Sequence, residues 1–162
     1  AEEIWSYMPH AASDDKDSIF LNQMPEKSGI AVSADFEEKW NLIYELRQSV
    51  NKALEIKRNE KIVGKSLEAE VELYCGNVFD KVNVFVDELS EIFIVSGVSA
   101  FAEGSGEFDA QTLGASGAAA DVTVTVRKAS GGKCDRCWTY SDTVGKDADH
   151  PTLCARCASV IK

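Results

Sequence analysis

The chain has 162 residues, 44% of them apolar, and a formal net charge of −10 at pH 7. That length suits one medium domain or two small ones with a real core. No apolar run reaches the roughly eighteen residues that a membrane-crossing helix needs, and the acidity argues against indiscriminate polyanion binding as the main task. The charge is uneven, however. Between Leu46 and Ser66 six cations (Arg47, Lys52, Lys57, Arg58, Lys61, Lys65) face two carboxylates, Glu55 and Glu60. Between Arg127 and Trp138 four cations face Asp135 alone. Such local positive faces suit either specific nucleic-acid contact or an ordinary solvated helix.

The opening AEEIWSYMP has no initiator Met and no signal-peptide pattern. It reads as the tail of a helix within a longer, cytoplasmic protein. Residues 9–34 are polar and irregular, with His10 in a loop. Within them SIFLNQMP is a short apolar insert expected to pack back on the core. Asp35 offers an N-cap. Phe36, Trp40, Ile43, Leu46, Val50 and Leu54 then recur at three- and four-residue steps, which predicts a helix to about Lys61 with its cations largely off the apolar stripe. Gly64 ends it.

In SLEAEVELY, Leu67, Ala69, Val71 and Leu73 alternate with Glu68, Glu70 and Glu72, the pattern of a half-buried strand. A helix is predicted from Asn77 to about Ser90, with Val78, Phe79, Val82 and Phe85 inside. EIFIVSGVSAF reads as a second strand, apolar on both faces. Residues 102–120 are rich in Gly, Ala and Ser and read as a loop. Val122, Val124 and Val126 give a third strand, and SGG at 130–132 a hinge. The fold class expected is α+β: a helical segment, a small mixed α/β domain and a C-terminal four-cysteine knuckle. The boundaries fall at 1–64, 65–130 and 131–162.

Four of the five cysteines form C-x2-C-x16-C-x2-C: Cys134, Cys137, Cys154 and Cys157. Two residues between cysteines let both sulfurs reach one ion, and two such knuckles close a tetrahedron of thiolates. One structural Zn²⁺ is expected there. Two disulfides, a redox pair and an iron–sulfur cluster are the competing readings, and His150 is a substitute ligand. A closed four-thiolate site leaves no open position for catalysis. Arg136 and Arg156 precede the second cysteine of each knuckle. They either offset the site's negative charge or meet phosphate or base. Trp138, next to Cys137, either caps the knuckle or offers a flat face to an unstacked base. Cys75 is expected to be a buried, inert thiol. No P-loop, G-x-S-x-G or H-E-x-x-H motif is present, so no catalytic residue is assigned.

Several stretches in order resemble one family. AEEIWSYMP, SIFLNQMP, W-x-x-I-Y-E-L-R-x-x-V-N-K-A-L-E-x-x-R, KIVGKSLEAEV, EIFIVSGV and KCDRCW…CARC look like the C-terminal part of bacterial isoleucyl-tRNA synthetase. The resemblance implies a parent class I ligase that activates isoleucine with ATP and charges tRNA-Ile, its HIGH- and KMSKS-type signatures lying upstream. It implies that the helix 36–62 ends a helical anticodon-binding domain, and that the strands and knuckle reach the anticodon stem-loop. Cys134, Cys137, Cys154 and Cys157 match the family's zinc ligands. Trp138, Arg136, Arg156 and Lys133 become candidate RNA contacts, with Arg47 and Arg58 candidates for backbone phosphates. The implied partners are the tRNA and the upstream domains, in a monomer. The four-cysteine spacing also resembles the zinc finger of formamidopyrimidine-type DNA glycosylases, but this chain lacks their N-terminal Pro-Glu pair. A protein-interaction zinc ribbon is the third reading.

Overall fold

The computed structural model describes residues 1–24 and 26–161. They cluster into two units, Ala1–Val32 and Ser33–Lys162. The mixed α+β class is as expected.

The first unit holds one short helix, α1 (Glu2–Trp5), and a 3₁₀ turn at Ile19–Leu21. Polar side chains organise it. Trp5 Nε1 donates to the Asp15 carbonyl at 3.0 Å. Asn22 Oδ1 accepts the Asp15 N–H, while its Nδ2 donates to the Asp15 and Ser18 carbonyls. His10 lies against Trp5, ring centroids 4.5 Å apart. The insert 18–25 is not core: Phe20, Leu21 and Met24 are exposed, and Pro25 lies outside the described residues.

The second unit is built on α2 (Ala34–Asn59). Its cap is Ser33, whose hydroxyl accepts the Phe36 N–H at 3.2 Å, not Asp35. Asp35 sits inside the first turn, where a carboxylate favours the helix dipole, and it pairs with Lys39. Ile43, Leu46, Val50 and Leu54 are buried as the stripe predicts, but Phe36 and Trp40 at its start are exposed. Lys57 departs from expectation in the other direction, being only 5% exposed. It continues the stripe one turn past Leu54, so its stem is buried while its amine reaches Glu60 and Glu107.

The helix covers one face of a four-stranded sheet of order β2-β1-β4-β3. Strand β1 (Ala69–Tyr74) pairs in parallel with β2 (Gly97–Phe101) and antiparallel with β4 (Thr123–Lys128). Short β3 (Phe108–Asp109) extends β4. Ala69, Val71 and Leu73 point into the core with Val124 and Val126, while Glu70 and Glu72 face outward. The 77–90 helix is broken into α3 (Phe79–Asn83) and α4 (Leu89–Phe93). The second strand begins only at Gly97. Ile94 takes a left-handed conformation, φ 59°, and ends α4 inside the run that reads as strand. Residues 102–120 are mostly turns, as expected, yet Ala110, Leu113, Ala115 and Ala119 are buried.

A second, separate core forms around Cys134, Cys154 and Cys157. Strands β5 (Gly132–Lys133) and β6 (Tyr140–Ser141) pair here, and α5 (Ala155–Ile161) carries the last ligand-type residue. SGG is no hinge. Gly131, φ 79°, packs its bare Cα against the Ser141 backbone, where any Cβ would overlap. No helix among the described residues is long and apolar enough to cross a membrane.

Candidate functional site

The turn after β5 returns on itself. Trp138 N–H donates to the Cys134 carbonyl and Cys134 N–H to the Thr139 carbonyl, each at 2.9 Å. That closure brings Cys134 and Cys137 onto one side. The second pair opens α5, where the Cys154 N–H meets Cys134 Sγ at 3.4 Å. All four Sγ atoms lie within 4.8 Å of one another. Zn–S bonds of about 2.3 Å in a tetrahedron require sulfurs about 3.8 Å apart, and Cys137 and Cys154 stand at 3.8 Å. The donor set therefore fits zinc. His150 is not in this cluster; its N–H donates to Asp147 Oδ1.

The thiols are unequal without an ion. Burial works to raise Cys137, but hydrogen bonds from the Thr139 side chain and backbone outweigh it and bring the thiol down to about 6. Burial likewise opposes Cys134, which backbone N–H groups of Cys137, Cys154 and Arg136 hold below the usual thiol range. Cys157 is pushed up to about 12 by burial and by the neighbouring sulfurs. Cys75 is far from this chemistry in kind: it is fully buried in the main core and raised to about 11 by burial, an inert thiol as expected.

Beside the cluster is a cleft of about 390 Å³. Lys65, Ser66, Leu67 and Glu68 line one side, and Lys133, Trp138 and Tyr140 the other. Trp138 is 61% exposed and held at φ 66°. Of the candidate contacts, Trp138 and Lys133 line this cleft together, and Arg58 reaches its edge, with Nη2 2.5 Å from Ser66 Oγ. Arg136 sits behind the cluster, its Nη1 3.5 Å from the Cys157 carbonyl. Arg156 pairs with Glu91 at 2.9 Å. A hydrogen bond to the Cys137 sulfur, more than the charge of Glu91, holds its guanidinium above the ordinary range. Arg47 is apart from these, donating to the Ile92 carbonyl at 2.9 Å.

Lys65, Glu68 and Tyr140 were not among the sequence candidates. Glu68 accepts the Gly64 N–H at 2.9 Å. That bond holds its carboxyl below the usual range against the effect of burial, with help from the Lys65 N–H and the charges of Lys128 and Lys65. The cleft thus offers an aromatic face, two amines and one ionised acceptor.

Residues 131–160 match the family described as the zinc finger found in FPG and IleRS. Residues 1–73 match the anticodon-binding domain of tRNA ligase. Along the whole chain the sequence is similar to isoleucine–tRNA ligases. The ligase of Desulforamulus reducens is 40% identical over 162 residues, which cover 99% of this chain and 17% of that protein. The ligases of Bacillus mycoides and of a Thermoanaerobacter species are each 39% identical over 163 residues, covering all of this chain and 17% of each relative. The chain thus spans about a sixth of the length of the curated relatives it matches.

Proposed function

We propose that this chain, similar from end to end to one segment of isoleucine–tRNA ligases, is the part of such a ligase that holds the anticodon stem-loop of tRNA-Ile. The parent activity would be class I aminoacylation, with isoleucine and ATP handled by other domains of a cytoplasmic monomer. Residues 1–64 would close the helical anticodon-binding domain, 65–130 would form a junction, and 131–162 the zinc-binding knuckle. The observation that carries this reading is the cleft: an exposed Trp138 lines a space of about 390 Å³ together with Lys133 and Lys65. Sequence-specific RNA recognition uses splayed loop bases stacked on such faces, with amines on the flanking phosphates.

One Zn²⁺ held by Cys134, Cys137, Cys154 and Cys157 would supply folding energy to a knuckle too small to fold by hydrophobic burial alone. The chain's own residues then do the binding. Trp138 stacks, Lys133 and Lys65 neutralise phosphate, and Arg58 adds charge at the rim. Arg136 and Arg156 lie close to the sulfurs and would balance their negative charge while extending the basic surface. A DNA-binding finger of the glycosylase kind shares the knuckle, but the match of residues 1–73 supports the tRNA reading.

The test is a fluorescence titration with an isoleucine anticodon stem-loop, with and without chelator. Metal-dependent binding, weakened by about 1–3 kcal/mol in Trp138→Ala, is the expected outcome. A folded, zinc-loaded chain that ignores the stem-loop would sink the proposal.

A further inference from the structure

Ser96 lies in the turn between α4 and β2, where its N–H donates to the Ala69 carbonyl at 2.9 Å. Its hydroxyl donates to the Leu67 carbonyl at 2.5 Å and accepts the Tyr140 N–H at 2.7 Å. Leu67 comes from one of the two segments that line the Trp138 cleft and Tyr140 from the other, while Ser96 lines a neighbouring cavity with both of them. One oxygen atom therefore joins both walls and ties them to the sheet. A hydroxyl has one proton to give, and here it is given to one wall while a lone pair takes the other. The Arg156–Glu91 pair also links knuckle to body, but both side chains are exposed, and exposed pairs hold geometry weakly.

We propose that Ser96 is a positioning residue that sets the width of the Trp138 cleft and so governs how firmly a base is gripped there. The proposal rests on reading the cleft as an RNA site. Ser96 touches no RNA. It acts by fixing Tyr140, two residues beyond Trp138, against the Leu67 wall. Without the hydroxyl, the Leu67 carbonyl and Tyr140 N–H lose their shared partner, and the walls stay joined only further back, where Ala129 N–H meets the Glu68 carbonyl and Ser130 meets Glu70.

The test uses the full zinc-loaded chain carrying Ser96→Ala, Ser96→Cys or Ser96→Thr. Amide exchange at Tyr140 should quicken at least ~tenfold in Ser96→Ala while Val71 and Leu73 amides in β1 stay unchanged. Anticodon stem-loop binding should weaken roughly five- to tenfold, the worth of one hydrogen bond. In a Trp138→Ala background the same change should cost almost nothing, because the two residues act through one contact. Ser96→Thr keeps the hydroxyl and should restore both readouts. Ser96→Cys, with its weaker and longer bonds, should fall between, and it serves if Ser96→Ala does not fold. Unchanged Tyr140 exchange, or an equal loss of affinity with and without Trp138, would overturn the proposal. A parent chain that binds no stem-loop would instead refute the functional reading, and Tyr140 exchange would still decide whether Ser96 holds the walls.

Discussion

Lys57 Nζ lies 2.5 Å from Glu107 Oε1, joining the last turn of α2 to the segment that leads into β3. The same amine meets Glu60 at 3.0 Å and sits 5.2 Å from the Phe108 ring centroid. The bond to Glu107 raises the Lys57 pKa, against burial, which lowers it.

Glu107→Gln should therefore destabilise the second unit by about 1 kcal/mol, less than a fully buried hydrogen bond to a charged group is worth, because the Glu107 side chain is 44% exposed and screened by solvent. A raised lysine pKa contributes stability that is fully present below the unfolded value, about 10.4, and is lost as pH rises through the folded one. The gap between Glu107→Gln and the parent in urea unfolding should be constant from neutral pH to about 10 and shrink above it. Lys57→Met, which keeps the buried stem without the charge, should be milder than Lys57→Ala.

Removing zinc should unfold the knuckle and leave the sheet. The two cores share no residue. Cys134→Ser, or chelator, is expected to abolish zinc content and amide protection in 132–158 while β1 and β4 keep theirs. Loss of protection across β1 as well would show that the two cores fold as one.

Zinc uptake should release protons. With Cys157 held near 12 and Cys137 near 6, Cys157 must give up its proton to the buffer as its sulfur takes the ion at neutral pH. Titration calorimetry in two buffers of different ionisation enthalpy should report net release, and affinity should fall as pH falls. A heat independent of buffer would contradict this.

Glycine at 131 should be irreplaceable and glycine at 117 merely preferred. Both have positive φ, but a Cβ at Gly117 meets open space, while one at Gly131 meets the Ser141–Asp142 backbone. Gly117→Ala should cost about 1 kcal/mol, and Gly131→Ala at least ~2 kcal/mol through overlap as well as strain. Thermal unfolding of the two variants checks the order.

Trp138 carries its own strain, a bulky residue at φ 66°. Trp138→Gly should relieve about 1 kcal/mol of it and be more stable than Trp138→Ala. Both should lose stem-loop affinity equally if the ring, not the backbone, grips the base. Comparing Tm with stem-loop affinity separates the two contributions.

Where the chain's own period decided burial, the sequence was readable. The Leu–Glu alternation marked β1, the stripe from Ile43 to Leu54 marked α2, and the cysteine spacing marked the cluster. The misreadings are places where a distant contact overrode local pattern. Ile92–Val95 has the composition of a strand, but the turn through Ile94 and the packing of Phe93 keep 91–93 helical. Lys57 looked like a surface charge because nothing local announces Glu107, fifty residues on. The cleft was invisible for the same reason. Lys65 and Tyr140 belong to segments with no shared signal, and Ser96, which touches both walls, is one serine among many.

The sheet order has a consequence for synthesis. Strand β1 is made first but sits between β2 and β4, both of which come later in the chain. A growing chain therefore gives Val71 and Leu73 their β2 neighbour first and leaves the other edge of β1 unpaired until Lys128 has left the ribosome, a wait of ~3–10 s at ordinary elongation rates. During that interval α2, already complete, offers its apolar stripe to shelter them. The helix would thus serve as a resident chaperone for its own sheet, guarding a half-paired strand before it becomes the sheet's lid.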